Sequence, residues 1–210
     1  MKLYDFELAP NAQRVRVYLA EKGLEVPTEQ LNVREGQQFA EPFKSMNPFH
    51  CVPFLALDDG TVIAESLSIC RYLEELHPEP PLFGRNAAER GVVDMWLRRF
   101  ELDGFIPMLH AVRNHVPMFA GRVVPGTRND LPQLPAMVSR GKQMMAIFLD
   151  RIEPHLAVNE FVAGEAFTVA DITGFFTLRM TAALQMDIEA SNPAIAAWFA
   201  RISARPAFQL

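Results

Sequence analysis

The sequence predicts a small α/β domain followed by an all-helical domain. Three observations carry this. Strand-like and helix-like segments alternate over the first eighty residues, a proline-rich break follows at residues 78–84, and beyond it the apolar residues recur at helical spacing. Residues 2–6 read as a strand. Asn11 then opens a helix with Ala12, Val15 and Leu19 on one face, and Gly23 stops it. Residues 25–33 form a second strand, weakened early by Pro27, and residues 37–46 a short helix at best. Residues 54–57 and 61–64 flank Asp58-Asp59-Gly60, a hairpin turn signal. Glu65-Ser66 starts a helix carrying Ile69, Cys70, Leu73 and Leu76, which Pro78 ends. The resulting order is β-α-β-α-β-β-α.

In the second half, Asn86 with Glu89 makes a capping box for a long helix towards Val116, which Gly104 and Pro107 bend or split. Residues 121–135 form a loop, and residues 137–152 a second long helix closed by Pro154. Thr168 and Asp171 make another capping box, with Phe167 placed to staple onto Ile172. Asn192 caps the last helix, with Pro193 at its first position. The domains expected are residues 1–78 and 86–210, with residues 79–85 as the linker.

Composition narrows the function. The chain has 210 residues, 50% hydrophobic and 21% charged, and a formal charge of −5 with both signs interspersed. No basic stripe points to nucleic acid, and no run is long enough to span a membrane. Two cysteines, Cys51 and Cys70, build neither a disulfide framework nor a metal site, and a reducing cytoplasm is the expected location.

The most informative segment is Asn47-Pro48-Phe49-His50-Cys51-Val52-Pro53-Phe54-Leu55. Pro53 precedes a strand whose ladder it cannot join as a donor. A cis Val52-Pro53 bond would turn the Val52 backbone outward towards an extended peptide; a trans proline at a sheet edge fits the spacing equally well. Further on come Asp58-Asp59-Gly60, Glu65-Ser66 and Tyr72-Leu73-Glu74, and in the second half Thr168-Val169-Ala170-Asp171. This combination closely resembles the glutathione transferase family, and the resemblance extends along the whole chain.

The resemblance implies a thioredoxin-like N-terminal domain that binds glutathione as co-substrate, an all-helical C-terminal domain, and no metal. It implies a cytoplasmic homodimer with a small hydrophobic electrophile as second substrate. It assigns Val52 and Pro53 to the cysteinyl backbone of glutathione, Glu65 to its ammonium, and Ser66 at a helix start to the γ-glutamyl carboxylate. His50 matches family members in which a histidine contacts the glycyl carboxylate.

Family members place Tyr, Ser or Cys after the first strand to hold the thiolate. Here that loop is Phe6-Glu7-Leu8-Ala9-Pro10-Asn11-Ala12, and the serine position falls on Ala9, or on Ala12 if shifted. Tyr4 lies inside the strand and reads as structural. Asn11 is then the candidate donor to sulfur, or only the helix cap. A second route implied by the resemblance is a water held by His110 or His115. Leu109, Val112, Val116, Met118 and Phe119 are candidates for the electrophile surface, and equally good core residues. The same scaffold supports glutathione-dependent disulfide reduction, or a non-enzymatic interaction module.

Overall fold

The computed structural model describes residues 1–209. The chain divides into two units, Met1–Pro80 and Pro81–Gln209.

The first unit carries β1 (Lys2–Asp5), α1 (Pro10–Lys22), β2 (Thr28–Gln30), α2 (Phe43–Met46), β3 (Phe54–Ala56), β4 (Val62–Ala64) and α3 (Ser66–Leu76), in the expected βαβαββα order. The strands are shorter than their sequence signals. The sheet order is β2-β1-β3-β4, with β1 parallel to β2 and antiparallel to β3, and β3 antiparallel to β4. A parallel pair needs a crossover, and α1 supplies it. Gly23 ends α1 at φ 65°, and Gly60 turns the hairpin at φ 89°, conformations that favour glycine.

Strand alternation sorts the core. Tyr4 and Phe54 are paired in register and turn to one face, where their rings stack at 4.6 Å over a cluster with Leu31 and Phe43. Tyr4 lies inside β1, as expected, and is packed against Phe43 and Phe54. Leu3 and Leu55 turn to the other face, where Val15, Ile69 and Leu73 of α1 and α3 are buried. The far ends of α1 and α3 are joined by a buried cation. Lys22 Nζ sits 2.6 Å from Glu74 Oε2, donates to the carbonyl oxygens of His77 (2.7 Å) and Pro80, and has no exposed side-chain surface. The Tyr18 hydroxyl donates to the same Glu74 oxygen at 2.6 Å, and burial with this carboxylate raises the phenol far above its ordinary range.

The second unit carries α4 (Ala87–Arg99), α5 (Ile106–His115), α6 (Pro135–Leu156), α7 (Val169–Arg179) and α8 (Pro193–Ser203). Asn86 caps α4, accepting from the Glu89 N–H at 3.0 Å. The long helix expected through residue 116 runs without a break to His115, with α4 and α5 joined by a wider helical turn at Phe100–Phe105. Both flagged residues act there. Pro107 lacks an N–H for the preceding turn, and a Cβ on Gly104 would come within 2.8 Å of Thr177 Cγ2 and 3.1 Å of Phe148.

Two expectations need correction. Pro154 does not close α6, which starts two residues earlier than expected and continues to Leu156 with Pro154 inside it. Proline removes one hydrogen bond, and the exposed face of α6 tolerates that loss. Asn192 occupies the cap position of α8, but its side chain makes no cap bond. The Glu153 carboxylate of α6 instead accepts from the N–H groups of Ala194 (2.7 Å) and Ile195 (3.0 Å). A full negative charge at a helix N-terminus satisfies those donors better than an amide does.

The capping box at Thr168 and Asp171 forms. Phe167 packs edge-on against Phe161 and Phe208. No described helix is long and apolar enough to cross a membrane.

Candidate functional site

Register brings most of the sequence-predicted residues to one end of the sheet. Tyr4 pairs with Phe54, and Phe54 with Ala64. The C-terminal end of β1, the start of β3 and the C-terminal end of β4 therefore lie side by side. The segments leaving that edge carry Ala9 and Asn11, then His50, Val52 and Pro53, then Glu65 and Ser66. The N-termini of α1 and α3 open at the same edge, so backbone N–H groups and two helix dipoles favour an anion there.

The loop after β1 is held from several sides. Gln30 Nε2 donates to Asp5 Oδ2 at 2.7 Å, while the Glu7 N–H donates to Gln30 Oε1 at 2.9 Å. The Glu7 carbonyl accepts from Gln13 Nε2 (2.9 Å) and from the Arg16 guanidinium. Asp5 is fully buried, with Arg16 Nε 3.5 Å away.

Ala12 is fully buried in α1, whereas Ala9 is half-buried in the loop before it. Asn11 is not the cap of α1: Ala9 is, with Pro10 first in the helix and Asn11 second. The fixed φ of proline starts the helix one residue early. The Asn11 Oδ1 atom is buried and makes no hydrogen bond, so the side chain is not spent on the helix.

The second segment is shaped by Asn47, which is 1% exposed. Its Nδ2 donates to the Cys51 carbonyl at 2.9 Å, and its Oδ1 accepts from the Phe49 N–H at 3.1 Å. His50 is held at φ 50°, its ring 5.3 Å from that of Phe39. The Val52-Pro53 bond is cis, the first of the two alternatives.

The third segment carries an unusual backbone. Glu65 adopts φ 73°, ψ 125°, a region that side chains strain to occupy, and its carboxylate is exposed. Ser66, 3% exposed, is the first residue of α3. The first intrahelical donor is the Ile69 N–H, to the Glu65 carbonyl at 3.0 Å, so the N–H groups of Ser66, Leu67 and Ser68 project from the helix end.

The Cys70 thiol is not built as a nucleophile. Cys70 is buried, which pushes its thiol well above the ordinary range although Arg14 opposes the shift. Cys51 is half-buried in the loop before Val52. Among the described residues no cluster of three or more His, Cys, Asp or Glu could hold a metal ion.

His110 and His115 lie on α5 in the second unit, the first half-buried and the second exposed. Leu109, Val112, Val116 and Phe119 are half-buried and Met118 is 54% exposed, so none of these five belongs to the buried core.

The sequence reading missed Asp5, Gln30 and Gln38. The first two gave no signal because their roles depend on a partner twenty-five residues away. Gln38 is 7% exposed, with Oε1 making no hydrogen bond. Asn47 was findable, since Asn before Pro commonly folds its side chain back onto the following turn.

Comparison with known proteins places this architecture. The glutathione S-transferase N-terminal domain matches residues 9–76, and the C-terminal domain matches residues 128–206. Glutathione S-transferase 2 of Saccharomyces cerevisiae is 30% identical over 208 residues, covering 98% of this chain and 87% of that protein. The chain belongs to the glutathione S-transferase family. Glutathione S-transferase 3 of Zea mays is 31% identical over 212 residues, covering all of this chain and 91% of that protein. The crystal structure of a class Gtt2 glutathione S-transferase of Vibrio parahaemolyticus is 36% identical and superposes with a TM-score of 0.85, covering all of this chain and 96% of the other. As a member of this family the chain has a thioredoxin-like first domain and glutathione as co-substrate.

Proposed function

We propose that this protein is a glutathione transferase that activates the thiolate of glutathione for attack on a small hydrophobic electrophile. The observation that carries the reading is Glu65, an exposed carboxylate held at φ 73° directly before the buried Ser66 at the start of α3. Strain of this kind persists where surrounding structure imposes it, and it clusters at ligand sites. In this reading Glu65 takes the ammonium of glutathione, and Ser66 with the first N–H groups of α3 takes the γ-glutamyl carboxylate. Val52, beside Pro53, offers its backbone to the cysteinyl part, and His50 takes the glycyl carboxylate.

The thiol meets the Asn11 side-chain amide N–H and the backbone N–H groups at the start of α1. A neutral amide donates to sulfur without accepting its proton, so the proton leaves to water. Donors fixed in place before reaction lower the thiol pKa and aim the sulfur. A water held by His110 or His115 is the rival route.

A cytoplasmic homodimer forms part of the reading. Val92, Met95, Leu102 and Ile106 are each 39–50% exposed on α4, the wide turn and α5, an apolar surface of the kind a second copy covers. The family relatives support a transferase over a disulfide reductase or an interaction module.

Calorimetric titration with glutathione tests the assignment. Glu65→Gln leaves the ammonium without its counter-charge, and the expected loss is about 10- to 150-fold in affinity, the range for hydrogen bonds to charged groups. Full affinity in both Glu65→Gln and Ser66→Ala overturns the site.

A further inference from the structure

We infer that Gln30, held by the buried Asp5, is a positioning residue for thiol activation: it fixes the loop after β1 so that the start of α1 meets the sulfur. The inference rests on the transferase reading and deepens it. Every residue involved lies in the first unit. Asp5 and Gln30 are register partners on the neighbouring strands β1 and β2. Asp5 ends β1 with no exposed surface, a costly place for a carboxylate, and its Oδ1 makes no hydrogen bond.

An ionised carboxylate accepts hydrogen bonds and donates none. Asp5 Oδ2 therefore takes Gln30 Nε2, at 2.7 Å, and leaves Gln30 Oε1 turned to the Glu7 N–H, at 2.9 Å. The same Oδ2 lies 3.5 Å from Arg16 Nε, and the Arg16 guanidinium donates to the Glu7 carbonyl. Both polar backbone groups of Glu7 are thus held by side chains that meet one carboxylate oxygen. Two residues further on, the Ala9 N–H closes a turn onto the Phe6 carbonyl at 2.9 Å, and the Ala9 carbonyl accepts the first helical bond of α1, from the Gln13 N–H at 2.9 Å.

A simpler account is that the cluster only stabilises the sheet. The strands do not need it: β1 and β2 are joined by main-chain bonds, among them the Leu31 N–H to the Asp5 carbonyl at 2.7 Å. A buried ion pair also adds little stability over an apolar replacement. The hold falls instead on the loop, and α1 has nothing else at its start, since Ala9 offers no side-chain cap and no acid stands in the first turn. The N–H groups of Asn11 and Ala12 precede the first helical bond, so the helix does not consume them. Donors of this kind stabilise a thiolate only when aimed at it, and a misplacement of about 1 Å is enough to lose them.

The test reads the pKa of the bound thiol, by thiolate absorbance of the glutathione complex titrated against pH. Gln30→Met keeps the side-chain length and removes both bonds. It should raise the bound thiol's pKa by about one unit, an about ten-fold loss of thiolate at a pH below that pKa. Calorimetry at such a pH, where glutathione binds as the thiol, should show unchanged affinity, because the ammonium and carboxylate contacts are untouched. Asp5→Leu should raise the thiol pKa as Gln30→Met does, and the double variant should raise it no further, since both act through one contact. Asp5→Asn, which keeps an acceptor for Gln30 Nε2, should leave the thiol pKa near that of the unmodified protein.

A purely structural role would lower the urea midpoint and weaken binding at every pH without moving the thiol pKa. That outcome overturns the inference, as does a pKa shift that simply adds in the double variant. If Asp5→Leu does not fold, Gln30→Met decides alone, because Gln30 lies exposed on the edge strand β2. The unmodified protein separates the two levels. A bound thiol pKa lowered below that of free glutathione, but indifferent to Gln30→Met, removes only the positioning role. Absence of glutathione binding, or a bound thiol that titrates as it does in water, removes the thiolate-activating reading and the inference with it.

Discussion

Trp198 Nε1 donates to Asp171 Oδ1 at 3.0 Å, both side chains being fully buried. The same carboxylate accepts from the Val162 N–H (2.8 Å), the Thr168 N–H (2.9 Å) and the Thr168 hydroxyl (3.2 Å). One acid thus fastens the start of α7, the turn before it and α8. Burial pushes the Asp171 carboxyl up to about 6 although these hydrogen bonds oppose the shift. The folded chain then holds that proton more tightly than the unfolded chain, whose Asp titrates at the ordinary 3.8. The group's contribution is largest below pH 4 and falls as pH rises to 6, by about 3 kcal/mol. Asp171→Asn should therefore be less stable than the unmodified protein, and urea midpoints should show the gap narrowing across that pH range.

Gly104→Ala should cost about 1–3 kcal/mol, because the new methyl meets Thr177 Cγ2 at 2.8 Å and Phe148 at 3.1 Å. Adding Thr177→Ser removes the nearer atom and should recover part of the loss. A double-mutant cycle in urea checks the sign of the coupling.

Lys22→Met strips the cation from a buried ion pair and takes its charge away from the Glu74 carboxylate that also accepts from Tyr18. The expected cost is about 3–5 kcal/mol. Combining it with Glu74→Gln, which keeps an acceptor for the Tyr18 hydroxyl, should cost less than Lys22→Met alone. Thermal midpoints of the two variants give the order.

Glu65→Gly separates stability from binding. Glycine occupies φ 73° without a Cβ clash, so the urea midpoint should rise by the equivalent of about 1 kcal/mol. Glutathione affinity should fall in the same variant, read by calorimetry. A variant that is less stable as well as weaker in binding would show that the backbone there is not strained.

Asn11→Ala should leave stability within about 0.5 kcal/mol, since its Oδ1 makes no hydrogen bond. It should lower kcat more than it weakens glutathione binding, and raise the pKa of the bound thiol, read by thiolate absorbance. Asn11→Asp should be worse, because it sets a negative charge beside the sulfur. An unchanged thiol pKa in Asn11→Ala, with a raised one in His110→Ala or His115→Ala, would transfer thiol activation to α5.

The parts of this fold legible in the sequence are those governed by neighbours along the chain. Gly23 at the end of α1, the Asn86–Glu89 cap and the turn at Gly60 depend on residues within one helical turn or one hairpin. What stayed hidden depends on distant partners. Glu153 reads as an exposed helical acid until α8 arrives forty-one residues later to receive it. Lys22 reads as a last-turn surface lysine, and its burial needs Glu74 and the carbonyls of residues 77 and 80. In the candidate site, residue types were legible through motif spacing, whereas the positive φ of His50 and Glu65 was not. Glutamate gives no signal of a positive φ, histidine only a weak one, and tertiary context imposes it.

The place of β1 in the sheet has a consequence for synthesis. β1 precedes the other three strands of its sheet in the chain, yet it lies between β2 and β3, and its antiparallel partner Phe54–Ala56 emerges some fifty residues later. On the ribosome the β1–α1–β2 segment waits with one side of its central strand unpaired. By Pro80 all four strands and α3 have been made, while the unit from Pro81 onward is still to come. At about 5–20 residues per second, residues 81–209 take roughly 6–26 s. The first unit thus has seconds in which to close its sheet before the second unit has been made.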